Sequence, residues 1–101
     1  MDRYKMPDGT IVRPSNAIMT WEEDTRWDGN NHVSVHTSDE FAHQKLYKTR
    51  KGRYWLEHRS QWQGSTPHAE WISEREATRW LLLNNSELPE DLEQFREETE
   101  E

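Results

Sequence analysis

The chain has 101 residues, enough for one domain at most, with 20 acidic and 13 basic side chains, a formal charge of −7 and no cysteine. The missing thiols exclude disulfide scaffolds, Cys-type zinc sites, iron–sulfur clusters and thiol catalysis. Leu, Ile, Val and Phe total only 15 residues and the mean hydropathy is −1.30, a composition that borders on disorder. Six Trp and three Tyr oppose that reading, because each buried aromatic ring removes roughly 150–250 Å² from water and an aromatic core can replace an aliphatic one.

In chain order, Pro7-Asp8-Gly9 between Tyr4-Lys5-Met6 and Thr10-Ile11-Val12 predicts a hairpin, with Pro presetting the first corner and Gly the positive φ after it. After Pro14, Ser15 or Asn16 is placed to cap a short helical turn through Ala17, Ile18, Trp21 and Glu22. The stretch Thr20 to Trp27 reads equally as an irregular loop anchored by aromatics. Asp28-Gly29-Asn30-Asn31 is the strongest turn signal, and His32-Val33-Ser34-Val35-His36 follows as a short strand. Leu46 to Thr49 and Arg53 to His58 are rich in β-formers, and Arg50-Lys51-Gly52 suits a three-residue hairpin loop. Ala69 to Ile72 reads as a third strand of that sheet.

Ser73-Glu74-Arg75-Glu76 is a capping box that starts a helix. Ala77, Trp80, Leu81 and Asn84 fall at i, i+3, i+4 and i+7 on one face, with Leu83 beside them, and Asn84-Asn85 end the element. Pro89 opens a second short helix through Phe95. The expected fold is α+β: a small antiparallel sheet of about four to five short strands, one helix across a face, and a short acidic C-terminal helix or tail. We assign residues 1–95 to the domain and 96–101 to a frayed acidic tail.

The charge is polarised. Ser86 to Glu101 holds eight acids and one base, so the rest of the chain is neutral, whereas His43 to Arg59 carries six bases against Glu57 alone. Lys45, Lys48, Arg50, Lys51, Arg53 and Arg59, interleaved with Tyr47, Tyr54 and Trp55, are therefore the candidate contact for nucleic acid or for a partner. The same charges equally suit a hairpin that protects its edges from aggregation. Trp21, Trp27 and Trp62 lie in turn-rich segments and are either core pins or an aromatic patch for a protein partner. The acidic end is a solvated helix, a contact for a basic partner, or an intramolecular screen over the basic hairpin.

Two phrases carry a resemblance: Leu46-Tyr47-Lys48-Thr49-Arg50-Lys51-Gly52-Arg53-Tyr54-Trp55-Leu56, and Ser73-Glu74-Arg75-Glu76-Ala77-Thr78-Arg79-Trp80-Leu81. Over about Leu46 to Leu92 the chain resembles a loose group of short bacterial proteins, many encoded on phage, plasmid or other mobile DNA. They share a hairpin L-Y-[KR]-[ST]-x-K-G-x-Y-[FWY]-L and a helix S-x-E-E-A-x-x-W-L. Arg75 departs from that pattern. The resemblance implies a hairpin packed under a helix and an accessory or inhibitory role, and it transfers no site residue.

His32 and His36 are four apart, but on a strand that spacing spans about 13 Å, too far to share one ion. His43, His58 and His68 complete no metal motif, so no metal and no cofactor are expected. Ser60, Ser65 and Thr66 belong to no nucleophile elbow, and there is no phosphate loop or acid pair. The expectation is a non-enzymatic module acting on a protein partner, with nucleic-acid association through Lys45 to Arg59 as the alternative. With no leader-like segment and no apolar run near the ~20 residues of a membrane span, the expected address is the cytoplasm and no membrane is expected as a partner.

Overall fold

The structure is a computed structural model and describes residues 3–27, 29–30, 32–37, 42–60 and 66–96. Eight strands, all paired antiparallel, and one α-helix make up an α+β fold among these residues. The first hairpin is as expected: β1 (Tyr4–Lys5) pairs β2 (Ile11–Val12), and Gly9 takes φ 87° at the turn. The capped helical turn through Trp21 does not form. A 3-10 turn at Pro14–Asn16 leads into β3 (Met19–Glu22) and β4 (Thr25–Trp27), because each segment finds a strand partner that local sequence does not reveal. β4 pairs β5 (His32–Ser34) in a separate hairpin; β5 stops at Ser34, short of the expected His36, and the chain turns over Val35 to Thr37.

The main sheet has the order β3, β6 (Ala42–Lys48), β7 (Tyr54–Ser60), β8 (His68–Ile72). β6 and β7 form a seven-pair ladder from Ala42↔Ser60 to Lys48↔Tyr54, closed by a turn in which Gly52 holds φ 84°. Because strand side chains alternate, the even positions of β6 and β7 face one side and the odd positions the other. Leu46, Tyr54 and Leu56 meet α1 (Glu74–Leu83) through Ala77, Trp80 and Leu81, and Leu88 and Leu92 complete this core. Tyr47 and Trp55, stacked with centroids 4.3 Å apart, meet Met6 and Val12 of the first hairpin on the opposite side. The scarce aliphatics are thus supplemented by four nearly inaccessible rings, Tyr47, Tyr54, Trp55 and Trp80.

The capping box forms as read: the Glu76 amide donates to Ser73 Oγ at 3.1 Å and the Ser73 amide to Glu76 Oε1 at 3.3 Å. Leu83, expected near the packed stripe, is 55% exposed. The second helix is 3-10, Glu90–Phe95, and Leu92 is wholly buried. Part of the acidic end is therefore docked: Asp91 accepts from Lys48 Nζ at 3.1 Å and Tyr54 OH at 2.9 Å.

Asn84, at the end of α1, is a buried polar junction. Its Nδ2 donates to the Glu22 carbonyl at 3.0 Å and to Ser86 Oγ at 2.8 Å, while its Oδ1 accepts from the Asp24 amide and lies 3.0 Å from His36 Nε2. His36 stacks flat on Trp80, 4.1 Å between centroids. Burial lowers the His36 pKa despite the Asn84 contact and the nearby Glu23 and Asp24, and burial likewise lowers that of His58 despite Glu70. Both imidazoles favour neutrality in the folded state. The stability this gives is complete above the unfolded value of about 6.5 and is lost as pH falls through the lower folded values. The melting temperature should drop between about pH 7 and pH 5 in thermal scans, with a shallower slope for His36→Phe, which keeps a ring on Trp80 but does not titrate.

Candidate basic groove and buried carboxylate

The six basic side chains separate into two kinds. Lys48 is bound to Asp91; Arg59 pairs with the buried Glu57 at 3.2 Å; Lys45 faces Glu22 at 3.4 Å. Arg53 lies over the Trp71 ring at 3.6 Å and reaches Asp8 at 3.5 Å. Arg50 and Lys51 are exposed at the β6–β7 turn and form no ion pair among the described residues.

The free turn cations border a groove of about 360 Å³. One wall is the β6–β7 turn with Thr49, Arg50, Lys51 and Arg53; the other is the segment Thr10 to Arg13, and Trp55 and Trp71 lie at its base. Arg13 joins the cluster because the first hairpin folds back on the sheet: Val12 points into the core, which turns its neighbours Ile11 and Arg13 outward. Sequence reasoning confined to His43–Arg59 missed Arg13; the signal was the alternation Ile11-Val12-Arg13 after a well-marked turn. Ile11, 47% exposed, sets an accessible apolar side chain beside the cations of this groove. At its rim, the Thr10 amide, the Thr10 side chain, and more weakly Trp71 and Arg53 hold the Asp8 carboxyl down to about 2, so the carboxylate persists as the partner of Arg53.

The aromatic residues expected to offer stacking surfaces do not do so. Tyr47 is 4% exposed, and Tyr54 and Trp55 are 1% exposed, because their strand positions commit them to the two cores. Trp21 is half-buried against Tyr54, 6.2 Å between centroids, as a member of the helix-side core. Trp27 stands 61% exposed on the β4–β5 hairpin, edge-on to His32. Trp62 lies outside the described residues.

A larger cleft of about 730 Å³ is lined by Glu22, Glu23, His43, Lys45, Glu57 and Arg59 among others. Its charges are paired: Glu22 with Lys45 across β3 and β6, Glu23 with His43 Nδ1, and Glu57 with Arg59 two residues along β7. Glu23 also accepts from Ser34 Oγ at 2.7 Å and the Gln44 amide at 2.9 Å, so serine and histidine share one carboxylate and neither activates the other. Glu57 was counted in the sequence as a lone acid among bases. It is instead the buried acceptor for Tyr4 OH at 2.6 Å and Tyr47 OH at 3.3 Å. Burial first and then Glu57 push the Tyr4 phenol up to about 12 and raise Tyr47 further, and Glu57 raises Arg59. The carboxylate thus ties the first hairpin to the sheet.

No His, Cys, Asp and Glu grouping among the described residues suits a metal ion, and no described helix is long and apolar enough to cross a membrane. Comparison with family models, curated proteins and solved structures returns no match.

Replacing Glu57 with Ala leaves the buried Tyr47 hydroxyl without its acceptor and should cost about 2 kcal/mol or more in urea denaturation. Glu57→Gln, which keeps an acceptor oxygen, should cost less.

Proposed function

We propose that this protein is a non-enzymatic, cytoplasmic binding module whose groove between Arg13 and the Arg50–Arg53 turn receives an acidic, partly apolar segment of a protein partner. The observation that carries the reading is the convergence of Arg13, Arg50, Lys51 and Arg53 from two separate hairpins beside the exposed Ile11. Carboxylates complement the cations, and an aliphatic side chain complements Ile11. Nucleic acid fits the same surface less well. A single strand gains much of its affinity by stacking bases on exposed rings, and Tyr47, Tyr54 and Trp55 are buried. A duplex reader needs a long basic stripe, whereas Lys45, Lys48 and Arg59 each face a carboxylate of the same chain.

The test is fluorescence anisotropy of a labelled peptide alternating Glu and Leu, beside labelled single- and double-stranded DNA and RNA, at about 50 and 200 mM salt. The peptide should bind with moderate salt sensitivity, and the double variant Arg50→Glu, Lys51→Glu should weaken it at least about tenfold. Trp27→Ala should leave it unchanged. Tighter binding of any nucleic acid than of the peptide overturns the assignment.

A further inference from the structure

Arg53 differs from Arg50 and Lys51, its neighbours in the turn, in that its head group has a platform. The guanidinium carbon lies 3.6 Å from the centre of the Trp71 ring. At that distance the group lies flat, because an upright one would drive a nitrogen into the ring. Trp71 is the β8 partner of Trp55, which is 1% exposed, so the platform rests on the core beneath the first hairpin. The backbone is held as well: the Arg53 amide donates to Thr49 Oγ1 at 3.1 Å, and the Arg53 carbonyl accepts from the Thr49 amide at 2.8 Å. A guanidinium lying on a ring has one face covered and keeps its N–H groups in plane at the edge, the geometry that grips both oxygens of a carboxylate. One of these groups already meets a carboxylate. Arg53 Nη1 is 3.5 Å from Asp8 Oδ2, a long contact between two half-exposed side chains. Asp8 is tied to its own turn, since its Oδ1 accepts from the Thr10 amide at 3.0 Å. The Thr10 contacts hold its carboxyl well below the usual range, so the charge is present at every working pH. A one-pronged, exposed ion pair of this kind is weak and open to exchange.

We propose that Arg53 is the residue that reads the partner's carboxylate, and that Asp8 holds the same guanidinium in the free protein, so that docking exchanges an internal carboxylate for an external one. The inference rests on the groove being the docking surface, and it names the residue that recognises and the residue that opposes. An incoming carboxylate that takes two in-plane donors gains a second hydrogen bond that Asp8, bound to its own turn, does not make. Arg50 and Lys51, exposed in the turn, add attraction without a fixed direction.

Variants of the full chain, titrated with the labelled Glu–Leu peptide, test this. Arg53→Lys keeps the charge but loses the fork and should weaken binding about tenfold, whereas Arg50→Lys should change it by less than about twofold. Equal effects of the two overturn the proposal. Asp8→Asn removes the competing charge and leaves an oxygen for the Thr10 amide, so the turn is kept. Binding should then tighten about two- to fivefold at about 50 mM salt, and less at about 200 mM. An unchanged or weaker affinity overturns the proposal. So does a gain that persists when Asp8→Asn is combined with Arg53→Lys, because exchange at Arg53 requires the two residues to be coupled. If neither the natural chain nor Asp8→Asn binds peptide, the docking surface itself fails, and the arginine Nε–H signals in a sodium acetate titration decide the rest. That of Arg53 should shift further than that of Arg50, and further still in Asp8→Asn; equal shifts overturn the role of Arg53.

Discussion

Everything in this fold is arranged around the antiparallel ladder between β6 and β7, because its register decides which side chains share a face. Lys48↔Tyr54 and Leu46↔Leu56 turn one set toward α1, and Tyr47↔Trp55 and Lys45↔Glu57 turn the other toward the first hairpin. A slip of one residue would exchange the faces, carrying Glu57 toward the leucines of α1 and Leu56 toward Tyr4. That alternative is heavily penalised, so the pairing is well specified despite the polar composition. Two thin cores on one sheet also explain how a chain with so few aliphatics folds: each ring in the ladder is covered from one side only, by a helix or by a hairpin.

The same register settles the fate of the charges. Glu57 sits on the Trp55 face, where burial requires it to be hydrogen-bonded, and Tyr4, Tyr47 and Arg59 meet that requirement. Lys48 faces the helix side and is met by Asp91. Arg50 and Lys51 lie in the turn, beyond the last ladder pair, where neither face claims them. The turn geometry is set by Gly52 and by backbone bonds from Gly52 N to Thr49 O and from Thr49 N to Arg53 O. These contacts make no demand on the two side chains, which stand exposed.

Strongly local signals were legible in the sequence. The Pro-Asp-Gly turn, the Arg-Lys-Gly turn, the capping box and the β8 strand needed only neighbouring residues and appear where they were read. Partnership was not legible. β3 and β4 exist because β6 and β5 lie beside them, and the Met19-Thr20-Trp21-Glu22 sequence has no alternation strong enough to announce a strand by itself. The groove was half legible for the same reason. The cations of one hairpin are contiguous in sequence, whereas Arg13 reaches them only through the contact of Tyr4, Met6 and Val12 with Trp55 and Tyr47. Asn84 falls on the helix stripe that the spacing marks, but its role as a polar junction depends on the distant Glu22 carbonyl and Asp24 amide.

Charge bookkeeping by sequence window also hid how the acidic end divides. Leu88 and Leu92 bury, and Asp91 neutralises Lys48, so the segment up to Phe95 belongs to the folded unit rather than to a solvated tail. Asp91 meets Lys48 and Tyr54 directly, whereas Arg50 and Lys51 form no ion pair among the described residues. A net charge of −7 is therefore compatible with a locally cationic groove, in which Arg13, Arg50, Lys51 and Arg53 stand beside the exposed Ile11.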